Sequence, residues 1–96
     1  MAFTVLWHPD VVTKDLSRVD QHLRARMLRA VEQRLSTEPA QYGKPLSGSL
    51  QTYRRLRVGD FRIVFRVHGS EVWVFAVIHR KDVYHAVLRR LGWSPP

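Results

Sequence analysis

No cysteine occurs among the 96 residues, which excludes disulfides and thiolate metal sites and fits a reducing compartment. No apolar run approaches the ~20 residues that a bilayer-spanning helix needs. The opening MAFTVLWHPD lacks the basic start and apolar core of a signal peptide, so the cytoplasm is the expected location and no membrane contact is expected. His68, His79 and His85 follow no metal-ligand spacing and no carboxylate cluster accompanies them, so neither a metal nor a cofactor is expected. The glycines form no phosphate-binding loop, and repeats and low-complexity stretches are missing. Acidic residues are scarce as well. Eight Asp and Glu stand against sixteen Lys and Arg, a formal net charge of +8 at pH 7. That balance suits a polyanionic ligand; on charge alone, a lipid surface or an acidic protein would suit it too.

What is present reads as one ordinary globular domain spanning residues 1–96, with 45% apolar and 25% charged residues. Residues 3–8 form a short strand, and Pro9 suits the first turn of a helix. Val12, Leu16 and Val19 recur at helical spacing; Asp20 can cap a second helix with Leu23, Met27, Ala30, Val31 and Leu35 on one face. The other face carries Arg24, Arg26, Arg29 and Arg34, which reads first as a solvated helix surface. Residues 38–50 have the composition of a connecting loop. Strand-like runs over 53–58, 61–67 and 72–78, separated by Gly59-Asp60 and His68-Gly69-Ser70, predict an antiparallel meander. A helix from about Val83 to Leu91 follows and stops at Gly92. The expected fold class is α+β: an antiparallel sheet of about four strands, an N-terminal helical hairpin on one face, an open arginine-rich face, and a short C-terminal helix.

The positive charge is concentrated in that sheet. From Ala40 to Gly59 there is no carboxylate, while Arg54, Arg55 and Arg57 crowd one strand and Arg62 and Arg66 lie on the next. Strand alternation puts Arg55 and Arg57 with Tyr53 on one face, and Arg54 with Leu56 and Val58 on the other. Like charges on neighbouring strands repel, so such a cluster calls for an anion. Trp7, Trp73 and Phe75 lie on apolar strands and read as core.

Two runs, KPLSGSLQTYRRLRVGDFRIVFRV and IHRKDVY, carry a family resemblance. Together they resemble the RelE branch of the RelE/ParE superfamily, small toxins of type II toxin–antitoxin pairs, and the likeness in element order extends over nearly the whole chain. The resemblance implies a ribosome-dependent endonuclease that cuts messenger RNA without a metal, with a cognate antitoxin, the ribosome and mRNA as partners. It also implies the site: Arg55, Arg62, Arg80 and Tyr84 as catalytic residues, with Arg54, Arg57, Arg66, Lys44 and Lys81 holding RNA around them.

Attack by the RNA's own 2′-hydroxyl needs charge stabilisation and proton transfer, not a protein nucleophile. Arg62 and Arg80 would clamp the scissile phosphate, a role suited to the planar guanidinium fork. Arginine stands at 54 and 55 where many relatives carry lysine, and arginine does not give up its proton. The general base is thereby left open, with His79, His85 and Tyr84 as the candidates for proton transfer and His79 favoured by its place beside Arg80. Two other functions fit the same residues: a ParE-like inhibitor of DNA gyrase, and a catalytically degenerate module that only binds nucleic acid or antitoxin. Retention of Arg62, Arg80 and Tyr84 together argues against the gyrase reading.

Overall fold

In the computed structural model, which describes residues 2–90 and 92–96, the two most apolar segments become the central strands. β4 (Phe61–His68) and β5 (Glu71–His79) pair antiparallel, and β3 (Arg54–Val58) pairs antiparallel on the far side of β4. Gly59, at φ 59°, and Gly69, at φ 60°, take the left-handed turns that close these hairpins, a conformation that a Cβ would strain. β1 (Thr4–Trp7) lies parallel to β5, and a two-residue β2 (Lys44–Pro45) extends the other edge, giving the order β1-β5-β4-β3-β2. The sheet is therefore a mixed one of five strands, with a parallel first strand instead of an all-antiparallel arrangement. A parallel partner requires a crossover, and the helical hairpin between β1 and the meander supplies it.

The hairpin's first arm is a π-type turn, Val11–Asp15, running into a 3₁₀ turn, Leu16–Arg18. Its wider i→i+5 winding shifts the inward face by one residue. Val11 is buried and Val12 is 59% exposed, so Val12 does not take the core position that regular helical spacing predicts. The second arm, α1 (Gln21–Ala30), begins where the Asp20 carboxylate accepts the His22 and Leu23 N–H groups at 2.8 and 3.3 Å. A further π-type turn, Val31–Leu35, carries it on. Met27, Val31 and Leu35 from this arm pack on Leu56, Val58, Ile63 and Phe65 of the sheet.

The segment expected as plain loop contains α2 (Pro39–Tyr42), β2 and a 3₁₀ turn, Gly48–Leu50. Gly43 lets the chain cross the Phe65 ring so closely that a Cβ there would collide with it. On the opposite sheet face, α3 (Val83–Arg90) buries Val83, Ala86 and Val87 against Tyr53, Val64, Phe75 and Ala76. A bulge opposite Val64 and Phe65 turns both Phe75 and Ala76 to that side. The arginine-bearing face is thus partly roofed, because its centre is apolar and an amphipathic helix covers it. Trp93 of the tail packs on the same cluster, 5.4 Å from the Phe75 ring. The predicted last residue of α3, Leu91, lies outside the described residues. Among those described, no helix is long and apolar enough to cross a membrane.

Candidate active site and nucleic-acid interface

β3 and β4 each send alternate side chains into the core beneath the hairpin, and on the other face what α3 leaves uncovered around Val64 is basic. Leu56 and Val58 go inward, leaving Arg55 and Arg57; Ile63 and Phe65 go inward, leaving Arg62 and Arg66. The register then sets like charges against each other. Arg57 stands directly across from Arg62, and Lys44 of β2 directly across from Arg55. Each such pairing costs a folded sheet free energy.

Arg80 joins this group through the backbone. Its N–H donates to the Asp60 carbonyl at 2.9 Å, which ties the residue following β5 to the β3–β4 turn. One helical turn later α3 presents Tyr84. Arg55, Arg62, Arg80 and Tyr84 line one open cavity of about 220 Å³ together with Val83. The Arg62 guanidinium donates to the carbonyls of Gly59 at 3.2 Å and Phe61 at 3.0 Å, which fixes its direction. Burial, followed by repulsion from Arg57, Arg55 and Arg80, lowers its pKa from the ordinary value, and Asp60 opposes the shift. It remains a cation at any physiological pH, so an anion between these guanidiniums would relieve real repulsion.

Tyr84 is the titratable group of this cavity that is not an arginine. Its hydroxyl lies 2.9 Å from Ser47 Oγ and accepts the Ser47 N–H at 3.2 Å. These bonds, the side-chain one first, together with Arg55, bring the phenol below its usual pKa of 10.0. Ser47 lies within the first family-like run but was not among the residues expected in the site; it meets Tyr84 because Gly43 and β2 carry the chain over the sheet edge.

A family model described as the ParE toxin of the type II toxin–antitoxin system, parDE, matches residues 5–84. The chain belongs to the RelE/ParE superfamily of type II toxins. Toxin RelE3 of Methanocaldococcus jannaschii is 32% identical over 75 residues, 74% of this toxin and 84% of that protein. Two solved complexes contain similar chains. RelBE2 of Mycobacterium tuberculosis has a chain 27% identical, with a TM-score of 0.75 over 83% of this toxin and 100% of that chain. The RelB–RelE complex of Methanococcus jannaschii gives 28% identity and a TM-score of 0.63, over 83% and 95% respectively. A free, doubly mutated Escherichia coli RelE shares the fold at 18% identity and a TM-score of 0.74, over 95% of this toxin and 99% of that chain.

The remaining sequence-predicted residues of the toxin do not line this cavity. His79 and His85 line a different cavity with Asp82 and Arg89; the His79 ring sits against Phe61, and its Nδ1 accepts the Lys81 N–H at 3.3 Å. Arg54 faces the hairpin side and donates to the Ala40 carbonyl at 3.1 Å. Arg66 lies over the Tyr53 ring at 6.0 Å, and Lys81 is exposed on the turn after β5. Arg57 and Lys44 line the adjoining cavity, which shares Arg55 and Arg62 with the first. Among the described residues no group of three His, Asp or Glu is placed to hold a metal ion.

Proposed function

We propose that this toxin cuts messenger RNA on the ribosome, using the RNA's own 2′-hydroxyl as nucleophile and needing no metal, and that a cognate antitoxin holds it inactive. The observation that carries the reading is the cavity of Arg55, Arg62, Arg80 and Tyr84. The 2′-oxygen attacks the adjacent phosphorus, its proton passes to the phenolate oxygen of deprotonated Tyr84, and the bond to the 5′-oxygen breaks. That oxygen takes a proton from water, leaving a 2′,3′-cyclic phosphate and a 5′-hydroxyl. Arg62 and Arg80 hold the phosphate oxygens as charge builds, the term that usually dominates such catalysis. Tyr84 is the proton acceptor here because His79 and His85 face another cavity. The antitoxin follows from the RelB complexes in which two similar chains were solved.

A second reading, inhibition of DNA gyrase without cleavage, draws support from the ParE description of the matching family model. Primer-extension mapping of a defined message in a reconstituted translation system separates the two. Ribosome-dependent cuts with cyclic-phosphate ends are expected from the wild-type chain and not from Arg80→Ala/Tyr84→Ala. An intact message together with inhibited supercoiling would replace the endonuclease reading with the gyrase one; cutting of an all-deoxy strand would sink the 2′-hydroxyl mechanism.

A further inference from the structure

The cleavage cavity is one end of a longer basic surface. It shares Arg55 and Arg62 with a cavity of about 410 Å³ that also holds Lys44, Tyr42, Arg57 and Arg34. That cavity in turn shares Arg57 and Arg34 with a third, of about 360 Å³, lined by Arg26 and Arg29 of α1. No acidic residue lines any of the three. Among the described residues the ion pairs are Lys14–Asp10 and Arg90–Asp15, and neither draws on an arginine of this surface. Arg24, on the same helix, behaves differently: it donates to the Leu16 carbonyl and lines none of these cavities. The arginines of the hairpin's outer face are therefore not equivalent: Arg26 and Arg29 of α1, with Arg34 of the turn that follows it, continue the site, by way of Arg57, around the edge of the sheet.

We propose that Arg26, Arg29 and Arg34 form a second RNA-binding surface, which grips the backbone of the same strand that is cut as it leaves the cleavage cavity over β3. The inference rests on the endonuclease reading for the identity of the strand. Charge alone would equally suit an acidic peptide. Two exposed tyrosines along the path favour RNA. Tyr84 at the cleavage end is 41% exposed, and Tyr42 midway is 44% exposed with the Arg34 guanidinium 5.6 Å from its ring centre. Cations interleaved with aromatic rings are what a single strand uses, phosphates against the charges and bases against the rings.

The test is binding of non-cleavable 2′-O-methyl RNA, read by fluorescence anisotropy, with strands of about 4 and about 16 nucleotides, the limits of single-strand grooves. Wild type is compared with Arg26→Gln/Arg29→Gln/Arg34→Gln. The long strand should lose on the order of tenfold or more in affinity, and its log–log salt slope should shrink by about 2, from ~0.7 per phosphate contact. The short strand should bind both proteins alike, which also reports an intact fold. Equal affinity and slope for the long strand in both proteins would overturn the proposal and return the three arginines to a solvated face. Equal losses on both strands would overturn it too, by placing them at the cleavage cavity. A poly-glutamate peptide that matches the long strand's affinity and loses it in the variant would replace RNA with an acidic protein segment. None of these readings requires cleavage or a ribosome, so failure of the endonuclease assay stays distinguishable from failure of this one.

Discussion

At Tyr84 the chemistry and the local structure meet in one hydroxyl. Ser47 donates its N–H to that oxygen, and a donated hydrogen bond favours the phenolate over the phenol. If the phenolate accepts the 2′-proton, single-turnover cleavage should rise with pH and level off below pH 10, the ordinary value for tyrosine. Tyr84→Phe keeps the ring and removes the acceptor. It should cost roughly 10²- to 10⁴-fold in rate and abolish the rise, with RNA affinity little changed. Ser47→Ala removes the largest contribution to the lowered pKa, so its pH limb should move upward. A limb that stays in place in Ser47→Ala would show that Tyr84 is not the titrating group. Tyr84 itself was legible in the VY of the second run, but Ser47 was not. It stands 37 residues from Tyr84, and neither the loop-like composition of its segment nor the family resemblance of the run that begins there gives Ser47 a role.

The ion pair between the first helical arm and α3 acts at the scale of elements. β1 pairs with β5 only from Glu71 to Val74, so the next stretch of β5 has no strand on that side. Asp15 and Arg90 fill the gap. The Asp15 carboxylate accepts the Val77 N–H at 2.9 Å, Arg90 donates to the Phe75 carbonyl at 2.7 Å, and the two side chains join at 2.8 and 3.0 Å. Asp15 is 4% exposed, so losing its partner would leave a charge stranded in the interior. Arg90→Met should therefore cost about 3–5 kcal/mol in urea unfolding, whereas Lys14→Met, at the exposed pair with Asp10, should cost less than about 1 kcal/mol. Similar losses from both would show that the buried pair is no more than a surface contact. Because α3 also carries Tyr84, this pair seats part of the site. Nothing in the sequence marked it: the partners are 75 residues apart, and each reads as an ordinary polar residue on a helix. The α1 cap at Asp20 and the glycine turns of the meander were legible because each is decided within a few residues. The phase of the first arm was not, since the π-type winding that buries Val11 leaves no spacing signature.

For the molecule as a whole, the same arginines that suit it to a polyanion work against its own folding. Cross-strand Arg57–Arg62 and Lys44–Arg55 pairings, within a chain of net charge +8, leave the unliganded sheet less stable than its packing would allow. A ligand that binds only the folded state should recover that loss by mass action. Tripolyphosphate at about 100 times its dissociation constant would add about 2.7 kcal/mol, a rise in Tm of roughly 10–20 °C for a domain of this size. Arg57→Gln should move the two measurements in opposite directions. With one member of an opposed pair gone, the free protein should melt a few degrees higher, and the gain on adding tripolyphosphate should shrink. A free Arg57→Gln protein that melts below wild type would mean that Arg57 contributes packing which outweighs the repulsion, and the sheet would then not be holding its charges at a cost to stability. Added sodium chloride separates specific occupancy from screening. Screening alone raises the free wild-type Tm toward that of the variant, and it should erase the tripolyphosphate gain as the phosphate contacts weaken.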